Sequence, residues 1–172
     1  PSMHSSQNEQ DNRIFSKFAK MPMLEPSDSQ EAKDFVGEAL RLSEEFDMPF
    51  ILRVTTRICH SKSVVELGER KEVEVKPLAK DFSKYVVTPG NAYRLHPVLE
   101  KKLEKLAEYG STYKYNTAEY TDSKVGIITS GVAYQYAKEV FPEASVLKLG
   151  MPHPLPKKLI TELAEKMDTL NV

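Results

Sequence analysis

Apolar residues recur along this chain in blocks, and the period inside each block predicts its structure. From Asp11 to Lys20 the residues Ile14, Phe15, Phe18 and Ala19 fall at helical spacing. Met21 to Pro26 reads as a short extended link, since its prolines disfavour helix in the residues before them. A strong helix start follows. Ser27 or Asp28 caps it, and Gln30 and Glu31 stand three residues further on, as in a capping box. Ala32, Phe35, Val36, Ala39, Leu40 and Leu42 then make an apolar face that runs to Phe46.

Phe50 to Arg57 is nearly continuous, apolar and β-rich, the pattern of a buried parallel strand. Residues 58–97 hold little that builds a core. Val64-Val65 and the alternating Lys71 to Lys76 read as short edge strands, and Pro77, Pro89, Gly90, Asn91 and Pro97 punctuate the rest. A second amphipathic helix spans Val98 to Tyr109, carrying Leu99, Leu103, Leu106 and Ala107 on one face, and a polar stretch runs from Gly110 to Lys124. Then comes a strand at Val125–Thr129, a turn at Ser130-Gly131, a helix from Val132 to Val140, a strand at Ser145–Leu149 and a helix from Pro156 to Met167. Strand, helix, strand, helix with short links predicts α/β architecture with a parallel sheet. At Asp168–Val172 a helix gives way to the beginning of a strand, and both ends read as cut from a longer sequence.

Composition narrows the class. Of 172 residues, 40% are hydrophobic and 28% charged, which suits a folded soluble domain. No apolar run reaches the roughly 20 residues needed to cross a bilayer, so no membrane role is expected. The net charge of −1 comes without a basic stripe, which argues against a nucleic-acid partner. Cys59 is the sole cysteine and excludes an internal disulfide, in keeping with a reducing cytoplasm.

Motifs for metal or nucleotide chemistry are missing: no paired Cys-x-x-Cys, no clustered histidines, no glycine-rich phosphate loop, no Gly-x-Ser-x-Gly elbow. Two segments carry candidate chemistry instead. The polar run His4-Ser5-Ser6-Gln7-Asn8 and onward to Arg13 offers amides, hydroxyls and an imidazole to a ligand, or is a solvated loop ahead of a helix. Arg57, in Thr55-Thr56-Arg57-Ile58-Cys59-His60-Ser61, falls at the carboxyl end of the expected strand, the edge where open α/β sheets bind ligands. There it is a clamp for a carboxylate or one half of a structural ion pair. Cys59 reads as a buried apolar residue rather than a nucleophile. Gly131, at a strand–helix junction, marks either an anion-binding helix start or a tight turn.

Met3 to Arg13, Leu24 to Asp34, Arg53 to Ser63 and Val125 to Ala137 together resemble the α subunit of indolepyruvate–ferredoxin oxidoreductases, in the same order and over essentially the whole chain. Ser29-Gln30-Glu31-Ala32 and Arg57 with His60 are more distantly similar to pyruvate–ferredoxin oxidoreductases. The resemblance implies an internal piece of a cytoplasmic enzyme that oxidatively decarboxylates aryl-2-oxo acids with thiamine diphosphate, Mg²⁺ and [4Fe–4S] clusters. Coenzyme A takes the acyl group and ferredoxin the electrons, and the partners are the rest of the α subunit and a β subunit. It implies that residues 1–75 end the pyrimidine-binding parallel-sheet domain, that 76–122 form an interdomain linker with one helix, and that 123–172 begin a transketolase C-terminal-like α/β domain. The activating glutamate is then expected before Pro1, and the diphosphate motif and cluster cysteines after Val172, so none of those roles falls here. His4, Ser5, Ser6, Gln7 and Asn8 are expected to line the active site, and Arg57 to take the substrate carboxylate. The isolated chain is expected to be inactive. Alternatives are the same chemistry on pyruvate or another 2-oxo acid, and a non-catalytic α/β assembly module.

Overall fold

The structure is a computed structural model that describes residues 11–70 and 72–172. Two sheets organise it. In the smaller, β1 (Met23–Leu24) pairs in parallel with β2 (Ile51–Leu52). In the larger the order is β3-β5-β4-β6, with β3 (Asn116–Glu119) antiparallel to β5 (Ser145–Leu149), and β4 (Val125–Ser130) parallel to both β5 and β6 (Thr169–Asn171). The fold is mixed α/β, as the alternation of strand and helix patterns predicts.

The capping signal at residue 28 is realised, with one change. The helix α2 (Ser29–Phe46) starts at Asp28, whose carboxylate accepts the Glu31 N–H at 2.8 Å. Glu31 reaches back, but to the N–H and hydroxyl of Ser27, one residue before the cap, at 2.8 and 2.7 Å. The helix then buries Phe35 and Leu42 against Leu24, Met48, Leu106, Tyr113 and Met151, which form the larger apolar cluster. Ile128, Leu147, Leu149 and Leu163 form a second cluster beneath the four-stranded sheet.

Several elements depart from the pattern reading. The expected strand at Phe50–Arg57 is only two residues long, and Thr56–His60 is the short helix α3. β1 offers a parallel partner over Met23 and Leu24 alone, so the ladder ends there and local hydrogen bonding takes over. Val64-Val65 and the described residues among Lys71 to Lys76 form no strand. The helix expected from Val98 begins much earlier. α5 (Pro89–Gly110) is capped by Thr88, takes Pro89 in its first turn, and carries Pro97 inside it. Its second half packs Leu106, with Leu99 and Leu103, against α2. The polar stretch after it holds β3, whose Asn116 side chain is buried and donates to the Gly110 carbonyl at 2.8 Å.

A connection between the sheets completes the frame. After β5 the chain runs antiparallel beside β1, where Met23 N–H donates to the His153 carbonyl and Glu25 N–H to the Gly150 carbonyl, each at 2.9 Å. Gly150 is squeezed there: a Cβ would lie 2.8 Å from the Tyr115 carbonyl oxygen and 3.2 Å from the Phe35 ring. The remaining helices are α1 (Arg13–Ala19), α4 (Phe82–Tyr85), α6 (Ala133–Val140) and α7 (Lys157–Ala164). No helix among the described residues is long and apolar enough to cross a membrane.

A buried charge cluster as candidate functional site

The parallel register of β1 and β2 matches Leu24 with Leu52, so the next residue of each strand emerges as a pair at the carboxyl edge. Those residues are Glu25 and Arg53. Both are buried, at 4% and 9% exposure, and they form an ion pair through Arg53 Nη1 and Glu25 Oε1. Arg53 Nε donates to Asn12 Oδ1 at 2.6 Å, and Nη2 lies 3.9 Å from Asp11. The other carboxylate oxygen of Glu25 accepts from the Ser130 hydroxyl at 2.9 Å, at the end of β4. The carboxyl ends of β1, β2 and β4 thus meet on one carboxylate.

Gly131 explains how Glu25 fits. Its φ is +58°, and a Cβ there would sit 2.6 Å from Glu25 Oε1. Both the turn and the approach of the carboxylate need glycine. Of the two readings of this glycine, the tight turn is realised, and the place where an external anion would bind holds a carboxylate of the protein itself.

A second pair joins the buried Glu31 to a half-buried lysine. Lys148 on β5 bonds Glu31, the residue that closes the α2 cap. The Lys148 ammonium also stands 5.0 Å from the Tyr134 ring centre, and the Tyr134 hydroxyl donates to Glu119 at 2.6 Å. Burial, and then the Glu119 hydrogen bond, push the Tyr134 phenol up to about 12. Lys138 bonds the same carboxylate at 2.8 Å and leads the effects that hold Glu119 below the usual range. Near the first pair, the Arg13 side chain brings the Asp11 carboxyl down to about 2, with burial working against it.

The residues singled out from sequence lie elsewhere. His4, Ser5, Ser6, Gln7 and Asn8 fall outside the described residues. Arg57 is on α3, exposed, and in no ion pair among the described residues. Cys59 is exposed rather than buried, because α3 turns it outward and buries Ile58 instead. Pattern reading missed Glu25 and Arg53 as a pair. They stand 28 residues apart, and the available signal was a charge at the edge of each short apolar run.

These features define a mixed α/β protein whose parallel strands converge at their carboxyl ends on a buried polar cluster. No protein-family model matches the chain. Curated relatives narrow the class. The subunit IorA of indolepyruvate oxidoreductase from Archaeoglobus fulgidus is 44% identical over 97% of this chain, that from Thermococcus kodakarensis 40% over 98%, and that from Pyrococcus horikoshii 43% over 93%. The chain spans about 28%, 28% and 26% of their respective lengths. Over nearly its whole length, the chain therefore corresponds to a segment of the IorA subunit of indolepyruvate oxidoreductases.

Proposed function

We propose that the chain is the part of a 2-oxo acid oxidoreductase subunit that completes its pyrimidine-binding domain and begins its transketolase C-terminal-like domain. Residues 1–75 belong to the first, residues 123–172 to the second, and residues 76–122 connect them. The carrying observation is the 44% identity over 97% of the chain to an indolepyruvate oxidoreductase subunit. The reaction is the oxidative decarboxylation of aryl-2-oxo acids in the cytoplasm, with the acyl group passing to coenzyme A and the electrons to ferredoxin, in company with a β subunit.

The cofactors of that chemistry do not fit the residues present here. A [4Fe–4S] cluster takes four thiolates, and Cys59 is the sole cysteine. Among the described residues no group of three or more His, Cys, Asp or Glu side chains converges to hold a metal ion. The Ser130-Gly131 turn, the best candidate for a diphosphate, is filled by Glu25. No step is routed through those groups.

What this chain supplies is positioning. Arg57 stands on α3, just beyond the carboxyl end of β2, with its charge unpaired among the described residues. In the complete enzyme its planar guanidinium holds the carboxylate that every 2-oxo acid carries and so orients the neighbouring ketone. The polar segment His4–Asn8 lines the same site, and the Arg53–Asn12 bond anchors the chain just after it. Arg57→Ala in the full-length subunit should lower kcat/KM for every 2-oxo acid by the equivalent of about 2–5 kcal/mol, with folding and cluster content unchanged. Arg57→Lys should recover part of that loss. An unchanged kcat/KM removes Arg57 from substrate recognition, and an unfolded variant gives it a structural role.

A further inference from the structure

Asparagine is among the residues that best cap a helix with their side chain, and Asn12 stands at that place before α1. It makes no such bond: α1 begins without a side-chain cap. The carboxamide oxygen instead accepts from Arg53 Nε at 2.6 Å, across 41 residues of chain. Asp11 is engaged nearby, paired with Arg13 at 2.7 Å and standing 3.9 Å from Arg53. Asn12 thus forgoes a local bond for a distant one, and such departures from local preference concentrate at functional positions. Its distant partner is firmly held. The Arg53 N–H donates to the Leu24 carbonyl at 2.9 Å, its guanidinium pairs with the buried Glu25, and Glu25 accepts from Ser130. Arg53 therefore ties Asn12 to the carboxyl ends of β1, β2 and β4.

We propose that Asn12 is a positioning residue for the active site, setting the polar segment His4–Asn8 against the carboxyl edge of the parallel strands. This rests on the reading that the segment lines that site. Asn8 precedes Asn12 closely in the chain, and four extended residues reach about 14 Å at most. Fixing Asn12 beside the edge where α/β sheets bind ligands therefore bounds the distance of the segment from that edge. In this role Asn12 acts through the amides, hydroxyls and imidazole of the segment rather than on the substrate itself. Stability gives little reason for the bond. Asn12 is half-buried, so water can take the place of its oxygen on Arg53, and a serine at the same position would supply the missing cap.

The test uses the complete enzyme with its full-length subunit, assayed on an aryl-2-oxo acid. Asn12→Ser shortens the side chain out of reach of Arg53 and still caps α1. It should lower kcat/KM about tenfold, the scale of a small misplacement of site groups, while the urea midpoint stays level or rises. Asn12→Asp keeps an oxygen for Arg53 Nε and should restore most of the activity. The double variant His4→Ala, Gln7→Ala should lower kcat/KM at least as far as Asn12→Ser. If that double variant is fully active, the segment does not line the site, and the reading and the inference fall together. If it is impaired while Asn12→Ser is fully active, the inference alone falls. It also falls if Asn12→Asp rescues nothing, or if Asn12→Ser loses activity only in step with a lowered urea midpoint.

Discussion

Replacing Arg53 with methionine removes a buried positive charge while keeping most of the side-chain volume. Glu25, at 4% exposure, then retains the Ser130 hydroxyl but no cation. Breaking a buried pair in this way costs about 3–5 kcal/mol, since the remaining charge stays out of water without compensation. The Asn12 side chain also loses its 2.6 Å donor, although water can replace it at that more open position. A control comes from Glu44→Gln. The Lys76–Glu44 pair has side chains 76% and 68% exposed, and losing it should cost under about 1 kcal/mol. Urea unfolding followed by circular dichroism separates the two, provided the slopes of the transitions are equal. The double variant Glu25→Gln, Arg53→Met should regain much of the loss, because the partners left are both neutral. A cost below about 1 kcal/mol for Arg53→Met, or a double variant less stable than the single, would show that the pair is not what holds the carboxyl ends of β1 and β2 together.

Other substitutions probe other parts of the frame. Gly131→Ala must adopt a φ of +58° with its Cβ 2.6 Å from Glu25, so it should destabilise the chain by about 1–3 kcal/mol, read from the same unfolding curves. Tyr113→Phe should leave stability unchanged or raise it by up to about 1 kcal/mol, since the buried hydroxyl has no hydrogen-bond partner among the described residues. Burial first, and the Lys17 charge second, hold His153 below its ordinary 6.5. The unfolded chain therefore binds that proton at a pH where the folded chain does not. The His153 contribution is complete above 6.5 and is lost as pH falls through the folded value. His153→Gln should flatten the profile as pH falls below about 6.5, and an unchanged slope would refute it.

Where local signals decide structure, they were legible. Asp28 and Glu31 announced α2, and its apolar face ran to Phe46 as observed. β4, β5 and the intervening α6 lie within a residue of their patterns, because buried parallel strands and short amphipathic helices each carry their own period. Features set by tertiary pairing were hidden. β1 is two residues long and has no period to read, and the strand expected at Phe50–Arg57 shrank because its partner ended. Pro97 suggested a break, yet α5 continues through it on the strength of packing further along. The charge cluster depends on register. Glu25 and Arg53 become neighbours only once Leu24 faces Leu52, and no local pattern encodes that match. Arg57, four residues later, had the more suggestive sequence context and the more exposed position.

The two backbone bonds from β1 to the stretch after β5 have a consequence for how the chain opens. Met23 and Glu25 donate their amides to carbonyls of His153 and Gly150, and Gly150 in turn donates to Tyr115 beside β3. Freeing the β1 amides to solvent therefore requires the start of that stretch to lift from the larger sheet's border as well. In hydrogen-exchange terms, the amides of Met23, Glu25 and Gly150 should share one opening free energy and lose protection together, as members of one cooperative unit that spans both sheets.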